Sequence, residues 1–417
     1  MKIQELKFLH QLLQQISEKK PLDQLLGEMM TGSKALMHAE ASSLLLTNAS
    51  TNELDFYVAT GKKSALLKQS TVAMGSGIAG WVALHKQPLI IDDCYKDPRF
   101  NSDYDAKNNF KTKSMICVPM IHKEDLLGVI QVINKKNGSV FTEDDLLLLE
   151  TLASQCAIAI TNHQLVQQQI ETEILERALE TAREIQERLL PSRLPEYPDI
   201  DVAACLIPAK QVGGDYYNVI QLDDQTSYFF VADATGKGIP AALIVSTMHA
   251  CLNSYLKLNA NSFDLLALVQ AMNEVLIEST TETKFAAGWF GLYHHDTQLL
   301  ESVNAGHDAP ILFMDGQSSP IRLNKGGLFL GSLPLPYEVE KIQLTANTCL
   351  IVYTDGITEA WNEKQEDYGE PRFLATIQSC LHESSDRILE NIKTDINWYV
   401  GKMPQSDDLT CLVVKIH

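Results

Sequence analysis

Residues 229–242 read FFVADATGKGIPAA, and this stretch decides how the second half of the chain is interpreted. An apolar run ends at Asp233, glycines follow at Gly236 and Gly238, and Pro240 opens an apolar segment of helical character. The sequence therefore predicts a strand, a glycine turn and a helix, with an acidic residue at the end of the strand.

Three further acidic residues lie where apolar runs break into turns: Asp215 in VGGDYYN, Asp355 in CLIVYTDGITEA and Asp407 in SDDLTCLVV. Each one alone is explained by an ordinary turn, in which Asp is common. Together they indicate a cleft where strand ends collect carboxylates, and a hard divalent cation is what makes such crowding tolerable. We expect a two-metal site for phosphoryl chemistry, with Mg²⁺ or Mn²⁺ as the cofactor.

Composition limits the other function classes. The chain has 417 residues, of which 45% are hydrophobic, so it is long enough for two or three cores. Its formal net charge of −19 disfavours binding to nucleic acid or to an anionic membrane, since both require a basic surface. A macromolecular partner is therefore expected to be a protein.

The sequence favours a cytoplasmic protein. Eight cysteines are scattered through it without a CxxC pair, which is typical of free thiols in a reducing compartment. The first residues, MKIQELKFLHQLLQQ, have no continuous apolar core of a signal peptide, and no apolar run approaches about 18 residues.

The spacing of apolar residues and the positions of Gly and Pro divide the chain into four segments. Residues 1–21 have the apolar period of an amphipathic helix, and residues 22–163 carry short alternating runs typical of an antiparallel sheet. Residues 164–190 lack Gly and Pro and continue a long helix out of the sheet domain. Residues 191–417 alternate strand runs with helix pairs, which predicts an α+β sandwich.

The acidic cluster Glu143, Asp144 and Asp145 has two interpretations. Thr142 is suited to be an N-cap, and Asp145 to be the third helical residue of a capping box, with the acids favoured by the helix dipole. The alternative is a metal or ligand site.

The long helix that continues from the sheet domain into the linker carries apolar or small residues in heptad-like steps of three and four. The steps run through Leu149, Leu152, Cys156, Ala159, Val166, Ile170, Ile174, Ala178, Ala182, Ile185 and Leu189. Sustained heptads predict a parallel homodimeric coiled coil, and the run of four-residue steps indicates a stutter in it. The alternative is a single helix packed on its own domain.

Residues 22–163 resemble a GAF domain, an α/β module that senses small molecules. The resemblance is carried by the strand runs, by GSGIAGWVALHKQPLIIDD and by the ending NK…FTEDD…LLETLASQCAIAI. It implies an effector of unknown identity. Cyclic-nucleotide-binding members have an Asn-Lys-Phe-Asp-Glu pattern, which Asn134, Lys135, Phe141 and Asp145 match, whereas Leu146 replaces the Glu.

Residues 185–417 resemble the SpoIIE and RsbU-type bacterial serine/threonine phosphatases of the PP2C (PPM) superfamily. EIQERLLPSRLP, VGGDYYN, VADATGKGIPAAL, VNAGHDAP, YTDGITEA and DDLT occur in the family's order. The resemblance implies an αββα sandwich that binds two metal ions. It assigns the bridging ligand to Asp233, a carbonyl ligand to Ala234, further ligands to Asp355 and Asp407, and a peripheral acid to Asp215.

The sequence departs from that family in two places. Asn218 stands where many relatives have Asp, and Thr235 stands where eukaryotic PP2C enzymes often have a His that protonates the leaving group. His307 is a candidate for this acid, because imidazole titrates near neutrality, but a turn-securing role is the competing interpretation. Gly236-Lys237-Gly238 does not match a Walker A loop.

These observations lead to one hypothesis and one alternative. The resemblance implies a metal-dependent protein phosphatase that removes phosphate from a STAS-domain anti-sigma-factor antagonist in a partner-switching pathway. The alternative is a ligand-controlled scaffold with a degenerate phosphatase domain.

Overall fold

The computed structural model describes residues 20–61, 70–108, 110–259, 262–281, 283–315, 317 and 319–417. The chain divides into two compact units, residues 1–173 and 174–417. The amphipathic helix predicted for residues 1–21 lies almost wholly outside the described residues.

The N-terminal unit is a six-stranded antiparallel sheet with helices on both faces, in the order β3-β2-β1-β6-β5-β4. Helix α1 and the first part of α4 pack on one face, and α2 packs on the other. The elements are α1 (Leu22–Leu36), β1 (Ala39–Asn48), β2 (Glu53–Thr60), β3 (Thr71–Ala73), α2 (Gly77–His85), β4 (Leu89–Ile91), α3 (Asp103–Asn108), β5 (Met115–His122), β6 (Asp125–Lys135) and α4 (Glu143–Glu187).

Helix α4 begins with the predicted capping box. The backbone N–H of Thr142 donates to Asp145 Oδ2 at 2.8 Å, and the N–H of Asp145 donates to Thr142 Oγ1 at 3.3 Å. Lys135 pairs with the same carboxylate and lies 5.6 Å from the ring centroid of Phe141. The capping interpretation is confirmed, because Asp145 is fully engaged in holding the helix to the end of β6.

The predicted helical linker is present, since α4 runs unbroken for 45 residues. Its first heptad positions differ from the prediction: Leu149, Leu152, Cys156 and Ala159 are buried in the N-terminal unit's own core. The single-helix interpretation therefore holds for this part of α4, because a core position cannot also face a partner helix. The periodicity alone did not distinguish the two kinds of contact.

The C-terminal unit is a four-layer sandwich of two sheets between two helix pairs. One sheet has the order β14-β11-β10-β9-β8, with β15 paired to β11, and the other has the order β13-β12-β16-β17-β7. The elements are β7 (Ile200–Ile207), β8 (Asp215–Asp223), β9 (Thr226–Ala234), α5 (Ile239–Leu258), α6 (Leu265–Ser279), β10 (Ala286–His294), β11 (Leu299–Ala305), β12 (Ile311–Phe313), β13 (Ile321–Arg322), β14 (Gly326–Gly327), β15 (Glu340–Gln343), β16 (Cys349–Tyr353), α7 (Asp355–Thr358), α8 (Glu370–Cys380), α9 (Ser385–Val400) and β17 (Leu409–Ile416).

Three apolar layers hold this sandwich together. The outer two join α5 and α6 to the first sheet, and α8 and α9 to the second, while the middle layer lies between the sheets. All eight residues of β17 are buried, as expected for a strand covered on both faces. The C-terminal helices α8 and α9 are separate, because the chain turns after Cys380 and restarts with Ser384 as N-cap.

Helix α5 is, within the described chain, the one helix long and apolar enough to cross a membrane. Its apolar face is nevertheless part of the sandwich, since Ala241, Val245, Met248 and Leu252 are completely buried in the layer against the first sheet. Its composition therefore reflects core packing.

Candidate active site

The acidic residues singled out by the sequence lie at one end of the sandwich. Asp215 begins β8 and is paired across the sheet with Asp233 near the end of β9. Asp355 follows β16 and Asp407 precedes β17, and these two strands are antiparallel neighbours. Each sheet therefore contributes two acids to the same end of the sandwich.

Asp215 joins the two sheets. Its buried carboxylate accepts hydrogen bonds from the hydroxyls of Thr354 (2.8 Å), directly after β16, and Thr410 (2.5 Å), the second residue of β17. Burial raises the pKa of Asp215 far above its ordinary value, and the charge of Asp233 raises it further. The hydrogen bonds from the two threonine hydroxyls lower the pKa of Asp215, but they only partly offset this increase.

Asp233 is surrounded by like charges. Burial raises its pKa to about 7, and the carboxylates of Asp355, Asp407, Asp408 and Asp308 act in the same direction. A carboxyl group whose pKa is raised by both desolvation and several acidic neighbours is typical of functional sites.

The structure adds two acids that the sequence reasoning missed. Burial raises the pKa of Asp355, and the largest charge effect on it comes from Asp308, in the NAGHDAP segment. Burial and then Asp355 also raise the pKa of Glu359, one turn further along. Both residues stand inside quoted motifs, but nothing in their spacing separated them from ordinary surface acids.

The adjacent residues Asp407 and Asp408 have different environments. Asp407 is about one-third exposed, and its Oδ2 lies 2.7 Å from the ammonium of Lys237. Asp408 is buried and accepts backbone N–H groups from Ala209 (2.8 Å) and Gly214 (2.6 Å). Asp408 therefore fixes the loop that leads into Asp215.

Glycines clear the space around these groups. A Cβ on Gly214 would lie 2.7 Å from the carbonyl oxygen of Ala234 and 3.4 Å from Asp233 Oδ1. A Cβ on Gly213 would lie 2.3 Å from Asp408 Oδ2, and one on Gly356 would lie 1.9 Å from the Asp408 carbonyl oxygen. A side chain at any of the three would displace the acidic loops.

The donor set suits a hard divalent cation, because every candidate ligand is an oxygen and the glycines keep the Ala234 carbonyl uncovered. Among the described residues, no three His, Cys, Asp or Glu side chains are close enough to hold an ion as they stand. The carboxylates stay apart because their like charges repel one another, and because Lys237 forms an ion pair with Asp407. The residues fit the cation in chemistry and location, and they would have to close around it.

His307 supports the turn interpretation. Its backbone N–H donates to Asn304 Oδ1, and its Nδ1 lies 2.8 Å from the carbonyl oxygen of Asp308. Since a carbonyl only accepts, Nδ1 carries the proton. Burial lowers the pKa of His307, so the ring is neutral and its buried Nε2, which has no partner, has no proton to donate.

The two departures from the family pattern also have local partners. Thr235 Oγ1 accepts the N–H of Phe285, which ties the end of β9 to the segment before β10. Asn218 donates to the hydroxyl of Tyr216, whose own partner is His249 Nδ1 at 2.9 Å. These contacts account for both side chains within the sandwich.

Comparison with known proteins agrees with this architecture. The GAF domain family matches residues 21–160, and the Stage II sporulation protein E (SpoIIE) family matches residues 223–417. This chain consists of a GAF domain and a SpoIIE-type PP2C phosphatase domain. The predicted mixed α+β fold class is thereby confirmed.

The chain is 26% identical over 251 residues to the phosphoserine phosphatase RsbU of Bacillus subtilis, covering 60% of this chain and 72% of that protein. It is also 26% identical over 275 residues to protein IcfG of Synechocystis, covering 60% of this chain but only 43% of the length of IcfG. The solved SiaA-PP2C domain of Pseudomonas aeruginosa has a TM-score of 0.51 at 20% identity, covering 60% of this chain and 98% of that domain, and it shares the fold.

Proposed function

We propose that this protein is a metal-dependent phosphatase that removes phosphate from serine or threonine of a partner protein, under the control of its GAF domain. The observation that carries the proposal is the convergence of Asp215, Asp233, Asp355 and Asp407 at one end of the sandwich, where burial and mutual repulsion raise the pKa of Asp233. Such a site requires cations to be stable with all its acids charged.

The family resemblance gives each group a role in this site. Asp233, the Ala234 carbonyl oxygen, Asp355 and Asp407 would hold the divalent ions, with Asp233 as the central ligand. Mn²⁺ or Mg²⁺ ions bound there supply Lewis-acid and water-activating chemistry. Asp215 would be the peripheral acid of the site, with its carboxylate held by the hydroxyls of Thr354 and Thr410.

The substrate we propose is a phosphorylated STAS-domain antagonist of an anti-sigma factor. Support comes from the similarity to the phosphoserine phosphatase RsbU and from the strongly acidic chain, which favours a protein partner over nucleic acid. The scaffold alternative is disfavoured, because none of the four acidic positions is replaced.

The proposal is tested with the full chain, Mn²⁺ and a phosphorylated STAS protein. We expect Asp233→Asn to lower turnover by at least about 1,000-fold, because it removes the bridging charge. Asp296→Asn, an exposed acid of the same domain, is the control that should keep wild-type activity. Equal turnover of wild type and Asp233→Asn would refute the site. Hydrolysis of a generic phosphoester but not of the STAS protein would refute only the substrate.

Control by the GAF domain requires a route to the acidic loops. Near the end of α4, Gln186 Nε2 donates to the carbonyl of Gly213 at 2.7 Å, and Gly213 N–H donates back to Gln186 Oε1 at 3.0 Å. This double hydrogen bond holds the loop that contains Gly214 and Asp215. We propose that an effector bound by the GAF domain acts through α4 on this contact, which requires the effector to bind two states with different affinity.

Gln186→Ala removes both hydrogen bonds, and we expect it to lower Mn²⁺-dependent turnover by about tenfold while the protein stays folded. The cause is a looser loop around Asp215. The matched control is Gln168→Ala on the exposed surface of the same helix. An unchanged rate in Gln186→Ala would remove this contact from the regulatory route.

The effector site we propose is a cavity of about 130 Å³ inside the GAF domain. Aromatic and polar side chains line it together, among them Phe56, Phe100, Phe110, Thr112 and Gln131. That combination suits a small molecule with an apolar body and a few hydrogen-bonding groups.

We further propose that the protein is a homodimer paired through the second part of α4. Large apolar side chains there are exposed, which is unfavourable unless a partner covers them. They are Leu165, Val166, Ile170, Ile174, Leu175 and Ile185. Sedimentation of the full chain as a monomer at micromolar concentration would contradict this pairing.

A further inference from the structure

The loop between β9 and α5 places a lysine on one of the candidate metal ligands. The ammonium of Lys237 lies 2.7 Å from Asp407 Oδ2 and donates to the carbonyl oxygen of Ser406 at 2.7 Å. Both partners belong to the segment that leads into β17. Lys237 therefore connects the loop after Asp233 to the loop that supplies Asp407.

Both oxygens of Asp407 are occupied in this arrangement. Oδ1 accepts the backbone N–H of Asp408 at 2.9 Å, and Oδ2 is held by Lys237. A carboxylate oxygen in contact with an ammonium group cannot at the same time approach a divalent ion, because the two cations repel each other. Binding of an ion by Asp407 Oδ2 thus requires Lys237 to leave.

Glycines flank Lys237, and its ion pair with Asp407 is exposed to solvent. Lys237 stands between Gly236 (φ +94°) and Gly238 (φ +76°), and both adopt backbone angles that favour glycine. The Lys237 side chain is 43% exposed, so water can solvate the ammonium when it leaves the carboxylate. Separating such an exposed pair costs little, about 0–1 kcal/mol for typical surface ion pairs.

We propose that Lys237 is an internal counter-ion that occupies Asp407 in the metal-free enzyme and competes with the divalent ion for it. This inference rests on the proposed metal-dependent function and adds a determinant of metal affinity to it. The lysine keeps the acidic cluster partly neutralised before the ion arrives, and it makes the site bind the ion more weakly than the carboxylates alone would.

The test is calorimetric titration of Mn²⁺ into the full chain, with no substrate present. We expect Lys237→Met, which keeps the apolar stem and removes the charge, to bind Mn²⁺ roughly two- to fivefold more tightly than wild type. Lys237→Arg should stay near wild type, because it preserves the ion pair. Lys325→Met removes a charge from a surface pair with Glu338 in the same domain, and it should also stay near wild type.

The outcomes separate the inference from the function on which it rests. Unchanged or weaker Mn²⁺ binding by Lys237→Met, with wild-type protein binding normally, would overturn the competition and indicate that the lysine only supports the loop. A similar gain in Lys325→Met would overturn it too, since net charge would then explain the effect. Absence of Mn²⁺ binding in wild type and every variant would overturn the metal site itself.

Discussion

The acidic residues of the two domains have different partners. In the GAF domain, Asp145 meets Lys135 and closes a capping box, and Asp105 accepts hydrogen bonds from Thr112 and Tyr95. In the phosphatase domain, Asp233 meets mainly other carboxylates. Paired acids stabilise the fold in which they lie, whereas unpaired clustered acids lower stability until a ligand neutralises them. The contrast supports the proposed metal site at the end of the sandwich where Asp233 lies.

The largest expected difference between a paired acid and an exposed acid lies within the phosphatase domain, between the adjacent residues Asp408 and Asp407. Asp408→Ala leaves the buried N–H groups of Ala209 and Gly214 without their acceptor, so we expect a loss of about 3 kcal/mol in the free energy of unfolding. Asp407→Ala breaks an exposed pair and should cost less than about 1 kcal/mol. Urea unfolding of both variants measures the difference. Equal losses would show that pairing does not distinguish the two acids.

A paired acid of the GAF domain should behave like Asp408, with a smaller effect. Asp145→Ala removes the capping box and the partner of Lys135, and we expect a loss of about 1–2 kcal/mol. Asp144→Ala removes the same charge from the same helix turn without those contacts, and it is the matched control. Calorimetric melting that shifts equally in both variants would argue that only the helix dipole matters.

Asp215 should give an effect of opposite sign. Because its folded-state pKa is raised, the stability linked to its protonation is present at low pH and is lost as the pH rises from about 4 through the folded value. In the metal-free protein, Asp215→Asn stays neutral and should raise the free energy of unfolding at pH 8, and raise it less at pH 5. Melting in EDTA at the two pH values checks this. A lower melting temperature for Asp215→Asn at pH 8 would contradict it.

The sequence predicted the elements and the site residues in part, for reasons that particular residues make clear. Asp233 and Asp215 were recognisable because apolar runs and glycines flank them, and the helix Ile239–Leu258 was recognisable from its composition. The heptad positions from Leu149 to Ala159 were misassigned, because a core face and a dimer face have the same spacing.

Other features depend on contacts between distant segments, which spacing does not reveal. Asp308 lies close enough to Asp233 to raise its pKa only once the sheets have packed together. The ion pair between Lys237 and Asp407 joins residues that are 170 positions apart in the sequence (407 − 237). The capping function of Asp145 was predictable because both partners are local, whereas its bond to Lys135 was not.

We propose above all that Asp233, Asp355 and Asp407 jointly bind divalent ions. The most direct measurement is anomalous diffraction from crystals of the full chain soaked with Mn²⁺. We predict two strong peaks beside Asp233, one next to the Ala234 carbonyl and one among Asp355 and Asp407, with Lys237 withdrawn from Asp407. Fully occupied Mn²⁺ peaks elsewhere on the molecule, with none beside Asp233, would contradict the account.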